Sequence, residues 1–365
     1  MRMVAKELQR LMETNMNVII FAGGAGTRLW PLSRKATPKQ FAPFFDGKST
    51  LQLAIDRIEP FGLDHVFIST NKDYVELLKG QVSGLAEDHI FEEPSKRDLA
   101  AAIGLSLMRL KKRGVSGTLA MIWSDHLMDR PDEFVDALKH AGELIAQDPE
   151  RFIFIGERAR YAEQNLGWIN VGEKTGDKHH AFLGWKYRPD KESCDEMFAS
   201  GNWMWNPGYF VYDIDFVLGL YEKHQPEMFK ALERMIQDEE TIPEEYGKLE
   251  SLSFDNAIVE KVDNNQAVVI PVDMGWSDPG TLYAMKEALQ EGKDDNVVKG
   301  NAICHESKDC FVYNEEDHKL VTTVGLEGVI VVNTGDSIMV CHKDHVPKIK
   351  DLLKKVEDEG YSQNL

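Results

Sequence analysis

An α/β fold, with a mainly parallel sheet flanked by helices and a short β-rich segment at the C-terminus, follows from three observations in the sequence. Between residues 17 and 156 short apolar runs alternate with helix-patterned stretches, the rhythm of βα units around a parallel sheet. Two of those runs lead straight into turns that carry chemistry, NVIIF into AGGAGTR and TLAMIW into SDH, and ligands of such sheets bind beyond the carboxyl ends of strands. From about residue 296 the texture changes to short β segments closed by a lysine-rich helix.

In chain order, residues 3–14 (MVAKELQRLMET) have the pattern of a short amphipathic helix, placed before the first strand as an extension over residues 1–16. NVIIFAGG reads as a buried strand entering a glycine turn, followed by helical LQLAIDRI, the strand HVFIST and helical NKDYVELLKG. DLAAAIGLSLMRLKKRG is a helix with a basic last turn and a glycine stop. TLAMIW, the helix PDEFVDALKHAGELIAQ and the strand FIFIGE complete the regular part. The middle offers strand-like WINVGE and WMWNPGYFVYD, helical QPEMFKALERMIQ, and AVVIPVDMGWSDPG as a strand ending in a turn with an aspartate. A boundary in EGKDDN divides residues 17–293 from a tail over 294–365.

Charge and composition exclude several roles. The chain has 42 basic and 61 acidic residues, a net charge of -19, which argues against broad nucleic-acid binding. Any phosphate site must be local. Four scattered cysteines give no CxxC or zinc-ligand spacing. No apolar run approaches the length of a membrane span and the N-terminus lacks the apolar core of a signal peptide, so the expectation is a cytoplasmic protein without a membrane partner.

The stretch AGGAGTRLWPLSRKATPKQF runs against the acidic trend. Gly23, Gly24 and Gly26 let backbone N–H groups approach a ligand, although a glycine turn after a strand equally suits a tight turn with none. A Walker loop would need GK[ST] at its end, and a dinucleotide fingerprint a third glycine where Leu29 stands. Between Ala22 and Lys48 there are five basic residues, Arg28, Arg34, Lys35, Lys39 and Lys48, and Pro31 and Pro38 stiffen the segment.

G-G-x-G-T-R-L-x-P-L followed by P-K resembles the signature of the nucleotidyltransferases that make nucleoside-diphosphate sugars. LWPLSR…PKQF is similar to the mannose-1-phosphate guanylyltransferase branch of that family. The resemblance implies a Rossmann-like nucleotidyltransferase fold with a short β-helical C-terminal segment. It also implies an enzyme joining GTP to a sugar 1-phosphate, with Mg²⁺ as cofactor, in a homodimer. It assigns Arg28 and Lys39 to catalysis, and Ala22, Gly23, Gly24, Gly26, Thr27, Glu93 and Ser124 to the nucleotide. Asp125 in SDH and Asp278 in GWSDPG fall where the family's motifs carry metal-binding aspartates. Each alone could serve as a turn or cap residue.

EEPSKRDLAAAI resembles the family segment E-P-x-x-R-N-T-A, with Asp98 and Leu99 in place of Asn-Thr. A carboxylate at Glu93 can accept from N1–H and the N2 amino group of guanine. On the sugar side, Gly167 in LGWINVGE and Asn206 in WNPGYF match the family, and Arg188 replaces the lysine that meets the sugar phosphate. Tyr187 replaces an expected glutamate, which leaves another hexose or heptose 1-phosphate open beside mannose 1-phosphate. The tail from NVVKGN to VPKIKDLL resembles the family's β-helix, and the isomerase domain fused to some longer relatives is expected to be absent.

A non-catalytic regulatory relative would lose a metal aspartate or the loop cations, and the sequence keeps them. A Rossmann dehydrogenase would need the glycine that Leu29 displaces. His179 and His180 are read as a polar loop, and Trp203 and Trp205, alternating in a strand, as one packed face.

Overall fold

The computed structural model describes residues 16–24, 26–45, 47–292 and 294–365. The helix expected over 3–14 and the boundary residue 293 lie outside them. The chain forms two compact units. One gathers the segments that end at residue 23, 55–123 and 128–276; the other gathers 24–54, 124–127 and 277–365.

The first unit is built on a sheet in which ten strands are seen among the described residues. They are β1 (Asn17–Phe21), β2 (Val66–Asn71), β3 (Ile90–Glu93), β4 (Thr118–Trp123), β5 (Phe152–Glu157), β6 (Gly167–Lys174), β7 (His180–Tyr187), β8 (Trp203–Asn206), β9 (Phe210–Asp213) and β10 (Ala267–Val272). Their order is β10-β7-β6-β8-β5-β9-β4-β1-β2-β3, with β10 also paired to β5. The pairs β1–β2, β1–β4, β2–β3 and β5–β10 are parallel, and the others are antiparallel. A mainly parallel sheet is thus found around β1, whereas the strands between residues 167 and 213 make the sheet mixed. The reason is local: β6 and β7 form a hairpin, a connection that only antiparallel neighbours allow, and β8 and β9 each run antiparallel to β5, which lies between them.

Val18, Ile19 and Ile20 of β1 are wholly buried, as expected for a strand covered on both faces. The helix Asp98–Lys112 lies in the same core, rich in strong helix formers and closed by Arg109, Lys111 and Lys112, which complement its dipole. A Cβ at its Gly104 would stand 2.6 Å from Leu232 Cδ1, so glycine there lets the helix Pro226–Gln237 approach closely. His180 is the first residue of β7 rather than part of a loop, and His179, in the turn before it, places Nδ1 3.2 Å from His140 Nε2. Among the described residues no helix is long and apolar enough to cross a membrane.

The second unit contains β11 (Val297–Lys299), β12 (Ala302–His305), β13 (Phe311–Asn314), β14 (Val321–Val324), β15 (Val329–Asn333) and β16 (Ile338–His342). β11, β13 and β15 stack in parallel with β16 antiparallel at the end, while β12 and β14 form a second parallel ladder. This is a short β-helix, and Asn333 Nδ2 donates to Asn314 Oδ1 at 2.7 Å between successive coils. Its core joins Phe311, Ile330 and Val332 to Leu29, Trp30, Leu32 and Phe44 of the glycine-loop segment and to Leu282 and Met285. The apolar half of that segment therefore anchors the loop. Two of its cations are spent the same way. Arg34 donates to Asp336, Thr334 and the Asn364 carbonyl, and Lys35 lies 3.7 Å from Glu357.

Candidate active site

Within the second unit the sequence's strongest candidates meet. Pro38, extended at ψ 161°, starts a short turn over Lys39–Phe41, and Lys39 is only 8% exposed despite its charge. Its Nζ lies 2.6 Å from Asp125 Oδ2 and 3.3 Å from Asp278 Oδ1. Burial works against the lysine's charge, but the two carboxylates outweigh it and hold the Lys39 pKa above its ordinary value. Burial likewise opposes ionisation of Asp125, yet Lys39, with His126, pulls its carboxyl down to about 2. The two aspartates are 153 residues apart in the chain, on segments joined by an antiparallel bridge in which Leu127 and Ser277 exchange backbone hydrogen bonds of 3.0 and 3.1 Å.

The loop is fitted to this lysine. Gly26 sits at φ +61°, and a Cβ there would stand 2.9 Å from both Lys39 Cβ and Lys39 N. Gln40 Nε2 donates to the Gly24 carbonyl at 2.8 Å. Gly24 and Thr27 are exposed, Ser124 is buried, and Arg28 is exposed on the turn Thr27–Leu29. A Cβ on Gly280 would lie 3.4 Å from both Arg28 Nη2 and Asp278 Oδ1, so the guanidinium and the aspartate both border Gly280. Lys39 is thus buried and paired, whereas Arg28 stays accessible to solvent. Lys39 has two carboxylates to satisfy it on burial.

Two carboxylates converging on one cation are a fitting donor set for a divalent metal that keeps water and substrate phosphate as its remaining ligands. Among the described residues, no three His, Cys, Asp or Glu side chains gather in a metal-holding arrangement. The Asp125–Asp278 pair is the candidate.

Within the first unit, Ala22 follows β1; its N–H donates to Ser69 O at 2.8 Å and its carbonyl accepts from Thr70 Oγ1 at 3.0 Å. Gly23 follows, exposed, and a Cβ on it would lie 3.4 Å from Glu93 Oε1. Glu93 ends β3 and accepts from Ser69 Oγ at 3.0 Å. Burial raises its pKa, opposed by the Ser69 hydroxyl and the Arg109 charge. Gly167 stands opposite Asn206 on β8 and Tyr187 on β7, and a Cβ on it would lie 3.3 Å from Asn206 Cβ. Asn206 Oδ1 accepts from Gly208 N, and Arg188, at φ +45°, reaches the Asn165 carbonyl and lies over the Tyr187 ring. The three sugar candidates therefore share one corner of the sheet.

Residues 17–294 match the family described as nucleotidyl transferase. The chain belongs to the nucleotidyl transferase family. Residues 300–356 match the MannoseP isomerase/GMP-like beta-helix domain. The mannose-1-phosphate guanylyltransferase RfbM of Salmonella typhimurium is 30% identical over 95% of this chain and 74% of its own length. The alginate biosynthesis protein AlgA of Pseudomonas putida is 28% identical over 94% of this chain and 72% of its own. A Thermus thermophilus structure described as a mannose-1-phosphate geranyltransferase superposes with a TM-score of 0.85 at 26% identity, covering 94% of this chain and 99% of that one. The expectations of an enzyme of the nucleotidyltransferase class and of its α/β fold with a β-helical tail are borne out.

This nucleotidyl transferase also holds a group that the sequence reading passed over. Glu157, wholly buried at the end of β5, accepts from the backbone N–H groups of Met274 and Trp276 at 2.9 and 3.1 Å. Arg160 donates to Glu157 at 2.8 Å and to the Trp276 carbonyl at 2.5 Å. The pair clamps the turn that follows β10. Trp205 packs edge-on against Tyr161, Trp168 and Trp276, as a packed tryptophan should, while Trp203 is only half-buried.

Proposed function

We propose that the chain transfers a guanylyl group from GTP to mannose 1-phosphate, releasing pyrophosphate, with residues 17–293 as the catalytic body and 294–365 as a β-helical tail. A phosphate oxygen of the sugar 1-phosphate attacks the α-phosphorus of GTP, a new P–O bond forms, and the bond from that phosphorus to the bridging oxygen of the departing pyrophosphate breaks. The attacking oxygen is already anionic, so no general base is needed and catalysis reduces to positioning and charge neutralisation. The observation that carries this reading is the burial of Lys39 between Asp125 and Asp278.

Asp125 and Asp278 would hold Mg²⁺, which when bound supplies charge stabilisation at the phosphates. Lys39 and Arg28 neutralise polyphosphate charge. Ala22, Gly23, Gly24, Gly26, Thr27 and Ser124 bind the nucleotide. Glu93 reads guanine, and Gly167, Asn206 and Arg188 meet the sugar phosphate. The similarity to RfbM supports the choice of GTP and mannose 1-phosphate.

Pyrophosphate release measured over four nucleoside triphosphates and a panel of hexose and heptose 1-phosphates tests the reading. Release with GTP and mannose 1-phosphate is expected. Release with another sugar would move the assignment to that sugar through Tyr187, which is 62% exposed. No release with any pair would refute the proposed transfer.

Glu93→Gln should erode the preference for GTP over UTP or dTTP by about 10- to 100-fold, because an amide no longer accepts both guanine donors. An unchanged ratio would remove Glu93 from base reading.

A further inference from the structure

A cavity of about 710 Å³ opens in the first unit, lined by Arg130, Arg158, Arg160, Trp203, Met204 and Asp273 among others. Its size is that of a small-molecule site. None of its lining residues belongs to the nucleotide, sugar-phosphate or metal candidates. In a chain of net charge -19, three guanidinium groups facing one cavity form a local reversal of sign.

The ionic partners in the cavity do not use up that charge. Arg130 donates through Nε to the Asp273 carbonyl at 2.6 Å and through Nη2 to the Asp273 carboxylate. Arg158 Nη1 is 3.8 Å from the same carboxylate, and its side chain is 72% exposed. One carboxylate thus serves two arginines. Arg160 is matched separately by Glu157. On the apolar side, Trp203 and Met204 offer a ring and a thioether against which an organic group can lie, while Lys186 Nζ sits 5.9 Å from the centre of the Trp203 ring. Arginine forks beside an aromatic wall suit a phosphate monoester whose sugar or base packs on the ring.

We infer that this cavity is a second anion site of the protein, in which Arg130 and Arg158 take the phosphate of a phosphate monoester and Trp203 takes its organic part. The phosphate competes with Asp273 for both arginines. This sign distinguishes a binding site from a patch of surface arginines: Asp273→Asn removes the competitor and should tighten binding.

The test is quenching of tryptophan fluorescence by GMP, by a hexose 6-phosphate and by orthophosphate, without divalent metal, on the intact chain. Saturable binding of at least one ester is expected. It should weaken at least 10-fold in Arg158→Gln and in Arg130→Gln, tighten several-fold in Asp273→Asn, and fall with added salt. Lys39→Ala should retain it, which separates this cavity from the proposed catalytic loop. Whichever ester binds more tightly identifies a nucleotide or a sugar phosphate as the source. Thermal melts show that each variant is folded.

Binding lost in Lys39→Ala but unchanged in the arginine variants would overturn the inference and assign all phosphate binding to the loop. Absence of saturable binding would overturn it as well. So would orthophosphate binding as tightly as both esters, since Trp203 would then contribute nothing. The proposed guanylyl transfer stands or falls separately, on pyrophosphate release.

Discussion

Asp278→Asn is expected to lower metal-dependent turnover on the order of 10³-fold while leaving the thermal midpoint close to that of the parent protein. The substitution keeps the side chain's shape and one oxygen, so the 3.3 Å contact from Lys39 Nζ to Oδ1 can persist as an ordinary hydrogen bond. The negative charge needed beside a divalent cation is lost. A hard cation bound by one or two carboxylates plus substrate phosphates has few ligands to spare. Removing one costs several kcal/mol of charge stabilisation, which sets the size of the effect. Turnover of Asp125→Asn should fall alike, and because both aspartates act through one ion the double variant should turn over barely more slowly than either single one. Binding of Mn²⁺ followed by its electron paramagnetic resonance signal provides a readout independent of turnover, and should weaken in all three variants. Near-normal turnover in Asp278→Asn would remove this residue from the metal site.

The features legible in the sequence were those whose signal is local. The buried run of β1, the alanine-rich helix Asp98–Lys112 with its basic last turn, and the punctuated loop from Gly23 to Lys39 carry their physics within twenty residues. β7 was not legible, because bulges against β6 and the positive φ of Gly184 break the alternation that would have exposed it. The helix Lys191–Ser200 has little apolar periodicity. Its signal lay in its ends, where Asp190 accepts from Ser193 N and Gly201 closes it at φ +71°. In the site, spacing could nominate Asp125 and Asp278 separately, but no pattern says that Lys39 lies against both. The Glu157 clamp was beyond reach for the same reason: its partners are 117 and 119 residues away.

Lys39→Ala should both disable and destabilise the protein, and the two losses should respond to different conditions. Turnover should drop on the order of 10²- to 10³-fold, as for removal of a fixed charge beside a transferring phosphoryl group. Stability should fall by roughly 3 kcal/mol at neutral pH without metal, because Asp125 and Asp278 are left facing each other with no cation between them. The pH dependence follows from the depressed carboxyl. In the parent protein Asp125 titrates near 2 rather than 3.8, so its ionised form contributes stability that is present above the ordinary value and is lost as pH falls through the folded value. Without Lys39 that contribution vanishes and burial favours the protonated acid instead. The gap in thermal midpoint between parent and variant should therefore be widest at neutral pH and narrow as pH drops below about 4, where both unfolded chains take up the proton. Added Mg²⁺ should narrow the gap at neutral pH as well, since a bound cation takes over the neutralising role of the ammonium group. Thermal melts of both proteins from pH 3 to pH 8, with and without Mg²⁺, measure all of this. A gap that stays constant with pH would mean that Lys39 stabilises the loop through packing of its alkyl chain beneath Gly26, and that its pairing with the two aspartates contributes nothing to the fold.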